Sequence, residues 1–403
     1  MDAWRVKMAT INVPGDYASI QTALSAGAVS DGDTIQLGLG YSVDEKITPT
    51  GLNSVTILGD VENPDLYDVY YSNPDGVGGD KTIAMNNCTN MSMKGFKLRY
   101  TGPFSSSSGA GHGGYLDNGG HLFEDMIVET SGYYGLSGMG SNTTYRRVRF
   151  DGSYHTAANS AYLLGPDSSG ASGTLVESCL VVNASYICIY LGTGGNPGPT
   201  IKNTTVYNNR TDGSSSPMGM YILGDNAKVY NTVVGMDCSV TGDKALLFGT
   251  PGTATASNCV LYGSHWGDNS DLNSTTGTVS EVVKGSGVSS SAVVFRNASG
   301  GDFLPFIGDG ALLLAEGMTA DMPLLDVVRR SYKSPHSIGA FASYSPPYMN
   351  WDEADLFENR VSPKSVSGKR FTIGVCWFDG SNDVHNPIKI ADYAVDFTRK
   401  SRR

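Results

Sequence analysis

A chain of 403 residues with a formal net charge of −11 is poorly suited to bind nucleic acid or an anionic membrane non-specifically, because both select basic surfaces. Charged residues make up only 17% and glycines number 51, which disfavours coiled coils and helical bundles, while 40% hydrophobic residues argues against disorder. What remains is a folded chain of short strands and turns.

The opening, MDAWRVKMATINVPGDY, lacks the apolar core and small-residue cleavage site of a secretory signal, and no run approaches 18 apolar residues. The sequence therefore predicts neither an export signal nor a membrane span. Residues 1–60 are expected to form an N-terminal cap with the first turns of a solenoid. Ser19 stands ahead of Ile20, Ala23 and Leu24, a one-sided apolar stripe that predicts a short capping helix. GDTIQLGLGYSVDEKI and SVTILGD follow as the first strand material.

Seven later segments share one apolar skeleton: MKGFKL, FEDMIV, YRRVRF, VESCLV, IKNTTV, VYNTVV and ASNCVL. Their third residues are Gly95, Asp125, Arg147, Ser178, Asn203, Asn231 and Asn258. These index positions recur about every 27 residues, a period that signals a solenoid. Positions one and three beyond the index alternate as one face of a strand, and the position two before it is apolar as well. All three columns can face one interior only if the chain bends at the index residue. Asn, Asp and Gly tolerate the left-handed backbone such a bend needs, whereas Arg147 and Ser178 depart from that preference. Short strands meeting at tight corners describe an all-β parallel β-helix over residues 61–345. Cys179 and Cys259 fall in the inward column and are expected as packed thiols, while disulfides stay open for the other cysteines.

Loops are expected at 61–80, 103–120, 192–198, 211–219 and 264–290. After the SPP at 345–347 the skeleton stops, and residues 346–403 are expected to form a small β-rich C-terminal cap or attachment module. Its basic end (Arg399, Lys400, Arg402 and Arg403) reads as a solvated tail, or as a contact for an acidic partner.

The run VPGDYASIQTAL…GDTIQLGLGYSVDEKI…VTILGD is similar to the opening of pectin methylesterases, pectate lyases and their single-stranded right-handed β-helix relatives. SIGAFAS at 337–343 resembles the closing strand of that superfamily. The resemblance covers residues 9–345 and implies a right-handed coil. It leaves activity open, since the superfamily includes esterases, lyases, hydrolases and structural virion proteins. The QD, DFIFG-like and LGRPW-like runs of the esterases are missing.

For lyase or hydrolase chemistry the candidates are Glu124, Asp125, Asp151 and Glu177, with Arg147 nearby. Glu124 and Glu177 fall on one outward column two rungs apart, roughly 10 Å, which suits an inverting carboxylate pair. A pair on an outward column is more often plain solvated surface. Tyr133, Tyr134, Tyr154 and Tyr186 are candidates for stacking on sugars, although tyrosine is also a good strand former. His112 and His121 flank a Gly-rich loop with Asp117 and read as structural. Eight Asn-x-Ser/Thr sequons occur, of which Asn203 is also an index residue. No metal site or cofactor is predicted.

The superfamily mostly acts on polysaccharides outside cells, while this sequence shows no export signal. A bacteriophage virion protein, made in the host cytoplasm and released by lysis, reconciles the two. The leading expectation is a structural virion-surface component, either a capsid decoration protein or a tailspike or fibre subunit, contacting other virion proteins and host surface polysaccharide. The resemblance to tailspikes implies a homotrimer. The alternative is a polysaccharide-degrading lyase or hydrolase, with a bacterial adhesin as a weaker third reading.

Overall fold

The computed structural model describes residues 8–263 except 75–79, 104–110, 139, 154–161, 167–170, 193–196, 209, 211–216, 224–225, 237–243, 249–253 and 258, together with 278–280, 283–284, 295–297, 302–305 and 326–329. The chain divides into two units, Met1–Ser343 and Tyr344–Arg403. The second unit, with the expected C-terminal module, lies outside the described residues, as does SIGAFAS.

Among the described residues, three sheets of 11, 10 and seven strands, here A, B and C, run along the first unit. Within each, neighbouring strands pair in parallel and in register, as in Phe123↔Tyr145↔Val176↔Ile201↔Val229↔Ala256 of sheet A. One circuit shows the plan. Leu122–Glu124 lies in sheet A, Ile127–Thr130 in B and Tyr134–Gly138 in C, and Thr144–Arg146 returns to A one rung further on. The chain is a parallel β-helix.

The three apolar columns of the repeat form its interior. Met93, Phe123, Tyr145 and Val176 of sheet A meet Phe96, Met126, Val148 and Cys179 at the corner and Leu98, Val128, Phe150 and Val181 of sheet B, each at most 1% exposed. The corner is left-handed at every described index residue, with φ of 70° at Gly95, 54° at Asp125, 48° at Asn203 and 49° at Asn231. Arg147 and Ser178, the two departures, adopt it as well, each with φ 53°. That conformation costs an L-residue about 1–2 kcal/mol, so the surrounding contacts must hold it in place.

The carbonyl just before the corner accepts the N–H of the preceding rung's corner residue, as Lys202 does from Ser178 and Tyr230 from Asn203, and the sequence supplies a second donor. Thr204 and Thr232 give their hydroxyls to the carbonyls of Lys202 (3.0 Å) and Tyr230 (2.9 Å). Cys179 and Cys259 aim their thiols at Glu177 (3.4 Å) and Ser257 (3.2 Å) in the same way. These cysteines are therefore corner donors as well as packed thiols, and burial pushes both up to about 12. Cys88 and Cys188, left open for disulfides, are free and buried.

Sheet C was hidden from the sequence. Its strand His112–Leu116 falls inside the expected loop 103–120 and Met218–Ile222 begins within the expected loop 211–219, while the sheet B strand Asp68–Tyr71 falls inside 61–80. In sheet C two consecutive columns are buried, one of Gly113, Gly135, Leu163, Cys188 and Gly219, the next of Gly114, Leu136, Leu164, Ile189 and Met220. No alternation survives for a period-two search to find. Gly113 belongs there because a Cβ would stand 2.5 Å from the Gly135 carbonyl.

A second left-handed corner, also unforeseen, precedes sheet A. Ser54, Asn90, Gly120, Asn142, Gly173 and Asn226 all have positive φ and stand two residues before a sheet A strand. Five of the eight sequon asparagines (Asn87, Asn90, Asn142, Asn183 and Asn203) are left-handed in the same way. At Asn90, Asn142 and Asn203 a corner Asn is followed by a strand Ser92, Thr144 or Thr205, which by itself generates the sequon pattern.

The N-terminal end is closed by the helix Ile20–Ser25, whose N-cap Ser19 accepts from Thr22 N at 3.2 Å. Glu45 takes the Gln21 N–H at 2.9 Å, while the Tyr41 hydroxyl takes the Ile20 N–H at 3.1 Å and donates to Glu45. The edge strand Thr10–Val13 is blunted by Asp16, which accepts from Asn12 N at 2.8 Å.

Candidate functional site

In-register stacking turns each outward position into a ladder. On sheet A one ladder reads Lys94, Glu124, Arg146, Glu177 and Lys202, alternating in charge at every rung. Glu124 and Glu177 do share this face two rungs apart, as the repeat predicts, but Arg146 stands between them. It lies 2.6 Å from Glu177 and 3.5 Å from Glu124; Lys202 reaches Glu177 at 2.7 Å and Lys94 reaches Glu124 at 3.0 Å. Burial works to raise both glutamates, yet the hydrogen bonds and charges of Lys94 and Arg147 on Glu124, and of Lys202 and Arg146 on Glu177, outweigh it and hold both below the usual range. A general acid needs the opposite shift.

Asp125 and Arg147 belong to the corner. Arg147 donates to Asp125 at 2.6 and 3.0 Å and to Glu124 at 2.7 Å, and Arg329 adds a contact to Asp125 at 2.7 Å. This chelation keeps a long side chain in the left-handed conformation. Asp151 is on sheet B, where it accepts from Ser153 N at 2.9 Å and Ser153 Oγ at 2.6 Å and pairs with Arg149 at 3.1 Å. Of the five sequence candidates, Arg147 thus joins Glu124 and Asp125, while Glu177 stands two rungs further along the ladder and Asp151 lies on sheet B.

The neighbour of Asp151 escaped the sequence reading. Glu129 is in register with it on the adjacent rung. Its Oε2 is buried without a hydrogen-bond partner, and Lys97 and Arg99 stand no closer than 4.0 Å. Burial first, and then the Asp151 charge, push Glu129 above the ordinary carboxylate range against the pull of Lys97 and Arg99. Both stand four residues beyond an index position, outside the three apolar columns that the sequence reading followed, and strand register places them side by side.

Sheet C carries the aromatic surface. Tyr133 and Tyr134 meet edge to face at 4.7 Å, Tyr134 stacks on Tyr162 at 5.2 Å, and Tyr162 packs on Tyr186 and on Tyr190, each at 5.5 Å. Tyr190 continues to Tyr221 at 5.5 Å, and at the other end His112 lies 4.8 Å from Tyr134. All of these tyrosines are half-buried. Burial raises the phenols of Tyr133 and Tyr162, keeping them neutral donors at ordinary pH. The structure thus gathers Tyr133, Tyr134 and Tyr186 into one ladder and adds Tyr162, Tyr190 and Tyr221; Tyr154 lies outside the described residues. The missed signal was a Tyr in YLLGP, ICIYL and MGMYI, legible once those runs are known to be strands.

His112 and His121 are packing groups. His112 Nδ1 lies 2.5 Å from Ser137 Oγ, and His121 accepts from Met91 N at 3.2 Å, with burial lowering its pKa. A shallow groove of about 560 Å³ opens beside Lys202 and Tyr230, but the Lys202 amine is bound to Glu177.

No family model matches the chain, and no curated protein matches it. Among solved structures it is similar to the pectate lyase Pel9A, at 14% identity over 83% of this chain and 96% of that one, with a TM-score of 0.47. It is similar also to pectin methylesterases from Aspergillus niger (12% identity, 72% and 89% covered, TM-score 0.36) and Yersinia enterocolitica (14%, 66% and 90%, 0.36). The likeness is one of parallel β-helix scaffold, already evident from the strand pairing, and it assigns no residue a role.

Proposed function

We propose that this chain is a structural component of a bacteriophage virion surface, a capsid decoration protein or a tailspike or fibre subunit, whose sheet C contacts host glycans. The observation that carries the glycan contact is the tyrosine ladder. From the rung of His112 to that of Tyr221 it crosses four rung steps, roughly 19 Å at the sheet spacing. Tyrosine offers a sugar an apolar ring and a hydroxyl at small conformational cost, and a row of them suits an extended polymer. The charge-compensated carboxylates of sheet A favour a scaffold over a catalyst.

Affinity electrophoresis of the purified chain through gels containing host surface polysaccharide tests this reading. Retardation is expected; Tyr162→Ala should abolish it, and Tyr162→Phe should retain most of it. Equal retardation of the alanine variant would remove the ladder from the interface. Purified particles probed with antibody to the chain test the virion setting, and an absent signal would refute it.

The alternative, a polysaccharide lyase or hydrolase, is favoured by one observation: Glu129, raised in pKa, stands beside Asp151. New reducing ends or unsaturated products from the same polymers, lost in Glu129→Gln, would establish that reading and overturn the non-catalytic one.

A further inference from the structure

Along sheet C, side chains of successive rungs lean on the next rung by one diagonal rule. Lys81, His112, Tyr134 and Tyr162 follow one another in register, and Ile187 comes next after Tyr162. Each meets the residue three positions beyond its own register partner: Tyr115, Ser137, Gly165 and Tyr190 in turn. The Lys81 amine sits over the Tyr115 ring, 4.7 Å from its centre, and His112 Nδ1 lies 2.5 Å from Ser137 Oγ. Tyr162 and Tyr190 pack at 5.5 Å. Tyr134 is the exception, because its diagonal partner has no side chain. A Cβ on Gly165 would stand 2.9 Å from both Cδ1 and Cε1 of Tyr134. The edge of the phenol ring takes the space that a side chain would fill.

Two in-register tyrosine pairs show what that space does. Tyr134 and Tyr162 lie nearly parallel, 17° apart, with ring centres at 5.2 Å. Tyr190 and Tyr221 are also in register and as close, at 5.5 Å, yet their planes are 48° apart. Register alone therefore does not stack the rings. Nor does the backbone call for glycine at 165, since its φ lies outside the left-handed region. A glycine inside a strand weakens it and marks a close approach by another group. Here that group is Tyr134. Its partner Tyr162 is where the ladder branches, packing on Tyr133 at 5.6 Å as well as on Tyr186 and Tyr190.

On the reading of sheet C as a glycan-binding face, we propose that Gly165 is a positioning residue of that face. By leaving room for the edge of Tyr134 it lets that ring stack on Tyr162, and so fixes how the ladder presents its rings and hydroxyls to the polymer.

Gly165→Ala tests this in the full chain, read by near-UV circular dichroism, which reports coupled tyrosines, and by affinity electrophoresis in the polysaccharide gels. The expected result is an altered near-UV spectrum and about tenfold weaker binding, with the far-UV spectrum kept. In a Tyr134→Ala background the same substitution should change neither readout further, because the ring atoms it strikes are gone. A parent-like spectrum in Gly165→Ala, or equal effects in both backgrounds, would overturn the proposal. So would an altered spectrum with undiminished retardation. If the parent chain itself is not retarded, the glycan reading falls, and the spectral comparison still decides whether Gly165 seats Tyr134. Should Gly165→Ala fail to fold, adding Tyr134→Ala must restore folding; failure to do so would show that Gly165 serves the sheet and not the ring.

Discussion

Glu177 on sheet A and Glu129 on sheet B are outward glutamates of similar burial, with side chains 6% and 12% exposed. Glu177 has Arg146 and Lys202 as its in-register neighbours, at 2.6 and 2.7 Å. Glu129 has Arg99 on one side and Asp151 on the other, and its closest cations remain 4.0 Å away. The first is held below the ordinary range and the second is pushed above it. In a parallel β-helix the adjacent rung fixes each outward side chain's neighbours about 4.8 Å away. A charge is supported or isolated by residues more than 20 positions distant in sequence.

Acid should expose this contrast most strongly. Glu124 and Glu177 have lowered folded-state values, so the stability they contribute is full above the ordinary glutamate value of 4.5 and is lost as pH falls through their folded values. Glu129 has the opposite sign, and its penalty is relieved on protonation. Urea midpoints measured from pH 7 down to 3 should fall below about pH 4.5, and a flat profile would break the comparison. Glu177→Gln comes next. It leaves Lys202 and Arg146 facing an uncharged partner and should cost about 3 kcal/mol at pH 7, with Arg146 keeping some support from Glu124.

Arg147 separates corner strain from ion pairing. Arg147→Ala removes the contacts to Asp125 and Glu124 while retaining a left-handed backbone, at a cost of about 2 kcal/mol by chemical denaturation. Arg147→Asn suits that backbone and should recover about 1 kcal/mol of the loss. Equal losses would mean that the ion pairs alone hold this corner. Smallest is Glu129→Gln, expected to raise stability at pH 7 by about 1 kcal/mol, the scale of one desolvated polar atom. A loss instead would show that Lys97 and Arg99 support Glu129 across 4.0 Å.

The repeat could be read from sequence because one physical demand recurs at each turn. Met93, Phe96 and Leu98, and their six successors, must be apolar to share one dry interior, and a corner between them must reverse the pleat. The spacing alone therefore gave sheets A and B and the left-handed bend, even where Arg147 and Ser178 stand at it. Sheet C offered no comparable signal, since two adjacent columns are buried and three of the five residues quoted for the first are glycine. With that sheet unseen, Tyr133, Tyr134 and Tyr186 were isolated candidates, and Tyr162, Tyr190 and Tyr221 were not singled out.

The carboxylate candidates show the same limit from another side. The outward position of Glu124 and Glu177 was legible from their place just before the corner. That Arg146 neutralises both, and that Asp151 meets Glu129 on a different sheet, depended on register. Sequence by itself determined what faces inward, because solvent exclusion acts on each residue's own chemistry. The tertiary structure alone decided which outward residues touch, because those partners are brought together by the stacking of rungs and by no local preference of the chain.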